Sequence, residues 1–171
     1  MEMGRLKNRL IARVFTMFPS LARGAAAKVP PLSFDRTPWA PFDKPLSQAR
    51  IALLTTAGVH MRADTPFDMQ DSTGDPTLRV VPSAAPVAEM MITHDYYDHK
   101  DADRDINLVF PVERLREMVA EGIIGGLTER FFSFMGHIDT NHFPRFLEDQ
   151  LPKVAAMLKA DGADAVLITP G

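Results

Sequence analysis

The densest run of chemistry-bearing side chains in this 171-residue chain lies between residues 94 and 107. His94 and His99 stand five apart with Asp95 and Asp98 between them, and Asp101, Asp103, Asp105 and Asn107 follow. Imidazole beside carboxylate can position a proton donor, hold a cationic amine or ligate a transition metal. A spacing of five does not place two histidines on one helical face, so a metal set of His94, Asp98 and His99 requires a loop. The competing reading makes these aspartates turn and cap residues that accept backbone N–H bonds. A second group, Thr55, Thr56, Gly58 and His60, closes an apolar run. Small hydroxyl residues and a glycine at the end of a buried strand mark the edge where open α/β sheets place ligands. His60 is there either a general acid or base, or a histidine satisfied by a backbone carbonyl.

Other chemistries are excluded by composition. With no cysteine, the chain has no thiol nucleophile, no C-x-x-C redox pair, no cysteine zinc site and no disulfide framework. Neither glycine-rich nucleotide fingerprint occurs, and G-x-S-x-G, H-E-x-x-H and the EF-hand pattern are missing too. A net charge of −3 argues against a globally basic nucleic-acid binder. No apolar run is long enough to span a bilayer, and the reading is cytoplasmic. At 46% hydrophobic and 24% charged residues, the composition is that of a globular domain able to bury a core without staples.

These residues need elements to position them. Leu6, Leu10, Val14 and Met17 recur at helical spacing, which predicts a helix over 3–18 docked through that stripe on the domain or on a sister subunit. Residues 1–30 carry six cations against Glu2 alone, whereas residues 64–105 carry ten acids against three cations. The chain thus divides into a basic helical arm at 1–30, a proline-rich connector at 31–48 with Trp39 and Phe42 as packing anchors, and an α/β domain at 49–171. Strands are expected at 49–55, 78–82, 90–92, 123–127, 131–135 and 163–169, with 49–55 and 163–169 parallel and buried. Helices are expected from Val112 to Gly122, whose glycine stops the first, and over 143–160. The fold class is α/β: a mainly parallel sheet with flanking helices, in layers of the flavodoxin or Rossmann kind. A sheet of this type normally continues into another helix, so it is expected to be incomplete at the C-terminus.

Four blocks add a resemblance. They are Leu53-Leu54-Thr55-Thr56-Ala57-Gly58-Val59-His60 with Pro66-Phe67-Asp68; His94-Asp95-Tyr96-Tyr97-Asp98 through Asp101–Asn107 to Phe110-Pro111-Val112-Glu113-Arg114-Leu115; Phe134-Met135-Gly136; and Ala163 to Gly171. In this order they resemble the glycine/sarcosine/betaine reductase selenoprotein B family, with its D-proline reductase-type members. The likeness covers residues 45–171 and leaves out the arm.

The resemblance implies reductive cleavage of a C–N bond in an amino acid or amine, with electrons from a thiol–selenol or dithiol pair. In that family a pyruvoyl group in a partner subunit holds the substrate amine. The cysteine or selenocysteine segment would follow a strand end like Thr169-Pro170-Gly171, and this chain has no cysteine. The implied catalytic residues are His60, His94, Asp95 and Asp98, with His60 or His94 giving the leaving nitrogen its proton. Thr55, Thr56, Gly58, Asp105 and Asn107 would line the substrate, and the group should converge beside Gly171. Implied partners are a small amine or amino acid and sister reductase subunits in an oligomer. The alternative is a non-catalytic subunit or a metal-binding module using His94, Asp98 and His99.

Overall fold

A computed structural model describes residues 2–27 and 39–171. The arm is helical as its periodicity predicts, forming α1 (Glu2–Met17) and α2 (Pro19–Ala26). Pro19 takes the first position of α2, where its missing N–H costs nothing. Within this chain the stripe does not dock on the domain. Leu6, Leu10 and Met17 face solvent, while Ala12 is buried and Arg9 Nε lies 3.0 Å from Asp95 Oδ1. At that contact the body offers a carboxylate, so the polar side of α1 meets it, while Val14 of the stripe is half-buried and its other members stay outside. The junction of arm and connector, residues 28–38, lies outside the described residues. Trp39 is 87% exposed and Phe42 44%, so neither anchors the connector, which has no regular structure from 39 to 45 and runs over the surface.

The body follows as β1 (Arg50–Thr55), β2 (Val59–Met61), β3 (Arg79–Pro82), β4 (Met90–Ile92), α3 (Lys100–Arg104), α4 (Val112–Ala120), β5 (Gly126–Leu127), β6 (Arg130–Ser133), α5 (Phe143–Arg145), α6 (Leu151–Ala160) and β7 (Ala165–Thr169). β1 is central. It pairs in parallel with β7 over five residues, from Ile51↔Ala165 to Thr55↔Thr169. On its other side it pairs in parallel with β5 and then β6. β3 closes that flank antiparallel to β6, and β2 and β4 form a separate antiparallel pair. Alternation along β6 shows both faces covered. Phe131 packs with Ile51, Leu53, Phe110 and Leu115 on the α4 side, and Phe132 packs with Val154 on the α6 side. The α/β class with a mainly parallel sheet and flanking helices is therefore the observed architecture.

Three details differ from what the sequence predicts. The helix over 143–160 is interrupted by a π-helical turn at Phe146–Gln150. Pro152 cannot donate to a carbonyl one turn back, and the wider turn absorbs that loss. The 123–127 segment contributes only Gly126–Leu127 as strand. β7 is parallel to β1 as expected, but it is not buried: Leu167 is 40% and Ile168 65% exposed. Among the described residues no strand lies beyond β7 in the sheet, so it is an edge. Gly122 does stop α4, with φ +71 and open space around the position of a Cβ.

Candidate functional site

β1 and β7 end in register at Thr55 and Thr169, and both hydroxyls donate to the Val109 carbonyl, at 3.0 and 2.6 Å. Thr55 Oγ1 also accepts from the Ala57 N–H at 3.1 Å. With its hydroxyl fully used and no exposure, Thr55 fastens the sheet edge instead of facing a ligand. The chain then crosses the end of β6, where Gly58 N–H donates to Phe134 O at 3.0 Å.

Gly58 lets the loop after β4 close onto this edge. Its φ is +73, and a Cβ there would lie 2.5 Å from Thr93 O and 3.2 Å from His94 Cβ. Only glycine combines that backbone conformation with so close an approach. Thr93 N–H donates back to Gly58 O at 2.9 Å, and this pair of contacts delivers His94 to the sheet edge. Gly58 is thus a hinge beneath the site and not part of its lining.

His94 is 4% exposed. Its Nδ1 accepts the Tyr96 backbone N–H at 3.1 Å, which places the proton of the neutral ring on Nε2. Nε2 is buried and has no hydrogen-bond partner. The ring sits edge-on to Tyr97 and Tyr96, with centroids 4.8 and 5.9 Å away. Tyr96 in turn stacks on His137 at 3.8 Å, and the Tyr97 hydroxyl donates to Ala57 O at 3.2 Å. A cavity of about 250 Å3 opens here, lined by Thr56, His94, Tyr96, Tyr97, Gly136, His137 and Gly171. Burial, then the neighbouring charges of His99 and His137, push the His94 imidazole down to about 4, against a smaller opposing effect of Asp95. The ring is therefore neutral at pH 7. Burial raises Tyr97, with Asp103 adding to it.

His60 is placed otherwise. It is fully buried on β2, its Nδ1 donates to the Met61 carbonyl at 2.7 Å, and its Nε2 shares a 2.9 Å bond with Thr93 Oγ1. Both nitrogens are used, and the ring lines no part of the His94 cavity. Asp95, 1% exposed on its side chain, faces Arg9 of α1. Asp98 and His99 line a second cavity of about 220 Å3 with Arg9, Arg13, Tyr97, Lys100 and Asp103. There Asp98 accepts the Lys100 N–H at 3.4 Å, and His99 Nδ1 lies 2.9 Å from Asp103 Oδ2. Asp105 accepts from the Asn107 N–H and side-chain amide at 3.0 and 2.9 Å. Asn107 ties that cap to the start of α4, donating to Glu113 Oε2 at 2.7 Å and accepting the Glu113 N–H at 3.0 Å. These contacts hold the Asp105 carboxyl below its usual range. Neither residue lines the cavity.

The three residues of the metal alternative are not brought together. His94 faces one cavity and Asp98 and His99 another, with Tyr97 lining both. Among the described residues no three His, Cys, Asp or Glu are grouped to hold a metal ion. Of the residues singled out in the sequence, His94 and Thr56 meet beside Gly171, while Tyr96, Tyr97, Gly136 and His137 complete the lining. The two tyrosines and Gly136 sit inside the four family blocks, and their aromatic or small character was the available signal. His137 comes directly after Gly136 but carries none.

Among the described residues, no helix is long and apolar enough to cross a membrane. The family model for glycine/sarcosine/betaine reductase selenoprotein B matches residues 25–171. The chain is 41% identical over 133 residues to the D-proline reductase subunit gamma of Acetoanaerobium sticklandii, covering 78% of this chain and 53% of that protein. It is 34% identical over 148 residues to the glycine reductase complex component B subunit gamma of Carboxydothermus hydrogenoformans, covering 83% of this chain and 32% of that protein. The sarcosine reductase complex component B subunit beta of Peptoclostridium acidaminophilum is 28% identical over 145 residues, 80% of this chain and 31% of its own length. The chain thus spans from about a third to half of the relatives it matches. No solved structure matches it. An ordered set of blocks, a family match over most of the length and relatives that are all reductase subunits converge on one conclusion: this chain belongs to the glycine/sarcosine/betaine reductase selenoprotein B family.

Proposed function

We propose that this chain forms the wall of a substrate pocket in a reductase that cleaves the C–N bond of an amino acid or amine of the glycine, betaine, sarcosine or D-proline class. The observation that carries the reading is the buried His94 Nε2, unpartnered beside a cavity at the sheet edge where β1 and β7 end. That edge is where open α/β sheets bind ligands. An unmade buried hydrogen bond costs about 1–3 kcal/mol, and a bound substrate can supply the missing partner. The cavity of about 250 Å3 suits a small amino acid.

A thiol–selenol or dithiol pair outside this cysteine-free chain would supply the two electrons, and a pyruvoyl group in a sister subunit would hold the substrate amine. His94 enters as a neutral Nε2–H donor, because its depressed pKa leaves no imidazolium at pH 7 to hand over. It therefore orients the substrate by a hydrogen bond, and the proton for the leaving nitrogen comes from elsewhere. Thr56 offers a hydroxyl to the same space, and Tyr96 on His137 forms a stacked aromatic side wall. Asp95 supports the loop through Arg9. The protein works in an oligomer with sister reductase subunits, in the reducing cytoplasm.

The test is the assembled reductase carrying His94→Ala or His94→Gln, followed by substrate-dependent thiol oxidation and amine release. His94→Ala should lower kcat/KM about 10- to 100-fold, the value of a hydrogen bond to a charged group. His94→Gln, which keeps an N–H donor, should recover part of it. Undiminished turnover in His94→Ala would sink the reading.

A further inference from the structure

Gly136 marks the point on which the cavity's donors converge. A Cβ built there would lie 3.5 Å from both His94 Nε2 and Thr56 Oγ1, and 3.0 Å from the Thr56 carbonyl oxygen. The two side-chain atoms come from different loops, one after β4 and one after β1, yet they face a single spot that the missing side chain leaves open. Tyr96 N–H on Nδ1 directs the His94 proton to that spot, and the Tyr97 hydroxyl is spent on Ala57 O. His137 Nε2 donates to Ser72 O at 3.0 Å, which removes it from the competition. Among the described residues, no acidic side chain lines the cavity. The nearest carboxylate in sequence, Asp95, lies against Arg9. The spot thus holds two side-chain donors, a buried N–H and a hydroxyl, beside one backbone carbonyl, and no carboxylate side chain lines it, so it favours an acceptor over an ammonium that needs a counter-charge.

We infer that the space in front of Gly136 is a carboxylate subsite, in which one oxygen accepts from His94 Nε2–H and the other from Thr56 Oγ1–H. Its role as the grip on substrate rests on the function proposed above. In an α-amino acid the carboxylate is attached to the carbon whose bond to nitrogen would break. A carboxylate held against Gly136 therefore fixes, one bond away from that grip, the carbon whose bond to nitrogen would break. The aspartates of the 94–107 loop are not what grips the substrate; they cap, pair and support.

The experiment is ligand binding by the full chain, read from the imidazole N–H resonances of histidine-labelled protein at pH 7. The ligands are glycine, acetate and tetramethylammonium. Glycine and acetate should shift the His94 Nε2–H signal saturably and compete with each other, and tetramethylammonium should not. Gly136→Ala fills the spot and brings a methyl to 3.0 Å from Thr56 O, and it should weaken carboxylate binding at least about tenfold. Because that variant strains the edge, Thr56→Val provides a gentler one with a loss of about tenfold, restored by Thr56→Ser. Lys100→Gln, in the second cavity, should leave binding unchanged. Binding of tetramethylammonium but not acetate would overturn the inference. So would a loss of binding in Lys100→Gln, which would place the carboxylate in the other cavity. Carboxylate binding with no reductase activity in the complete complex would defeat the functional reading and leave this subsite standing. Activity that depends on His94 with no carboxylate binding would do the reverse.

Discussion

His60 and His94 sit at either end of one short connection, joined through Thr93, and both are removed from water. Their environments are nonetheless opposite. His60 has a carbonyl on one nitrogen and a hydroxyl on the other, so its polarity is spent inside the β2–β4 pair. His94 has an N–H on Nδ1 and nothing on Nε2. Burial alone therefore does not mark a functional histidine. What marks it is the combination of burial with an unspent donor beside open space, since an interior that satisfies every polar group has nothing to offer a ligand.

The sharpest way to break this comparison is His60→Ala. It leaves the Met61 carbonyl and Thr93 hydroxyl without their partner and opens a void, and it should cost about 4 kcal/mol in denaturant unfolding. If His60→Ala instead folds with wild-type stability, the histidine is not the structural one.

Acid unfolding probes the other ring. His94 titrates near 4 when folded and near 6.5 when unfolded. Between those values the unfolded chain binds more protons, so stability present above pH 6.5 falls as pH drops toward 4. The loss is on the order of 3 kcal/mol, and His94→Gln should abolish that share of the pH dependence of the unfolding free energy. A pH profile identical in His94→Gln would mean that the ring is not held neutral by its surroundings.

Gly58→Ala tests the hinge between the two. It combines φ +73 with a Cβ 2.5 Å from Thr93 O and should cost about 2 kcal/mol or more. Gly122→Ala, at φ +71 with nothing within 4 Å, should cost about 1 kcal/mol. Thermal unfolding of the pair separates backbone strain from close approach, and equal losses would remove the argument that Gly58 positions His94. The smallest effect is expected from Arg9→Ala, about 1 kcal/mol from a charged contact whose arginine is half in water. A loss several times larger would show that α1 is part of the core.

Much of the fold was legible because it rests on local patterns. The apolar run at Ile51–Leu54 is the central strand, Val112–Ala120 is a helix, and Gly122 ends it. Those signals survive because burial on both sheet faces and a left-handed helix stop each demand a residue type at the position itself. The arm shows where pattern stops. Its periodicity predicts the helix but not that a polar side of it meets the body of this chain, since that surface is built by a loop 86 residues away. β7 has the same lesson: its apolar residues resemble those of β1, yet exposure is decided by what packs outside it.

For the site, the sequence by itself determined the residue inventory: the absence of thiols, the histidines and carboxylates of the 94–107 loop, the Thr-Thr-Ala-Gly turn, and the ordered blocks that carry the family likeness. Only the tertiary structure decided which of these share a space. Asp95, Asp98, Asp105 and Asn107 look alike as candidates in the chain, and each is drawn off by a partner: Arg9, Lys100, or the start of α4. Thr56 and Gly136 meet because parallel pairing of β1 with β6 brings their C-terminal ends to one edge, and His94 joins them because Thr93 pairs with Gly58 on the turn after β1. The physical reason is that residue type sets what a group can donate or accept. Whether that capacity is still unspent depends on neighbours contributed by distant parts of the chain.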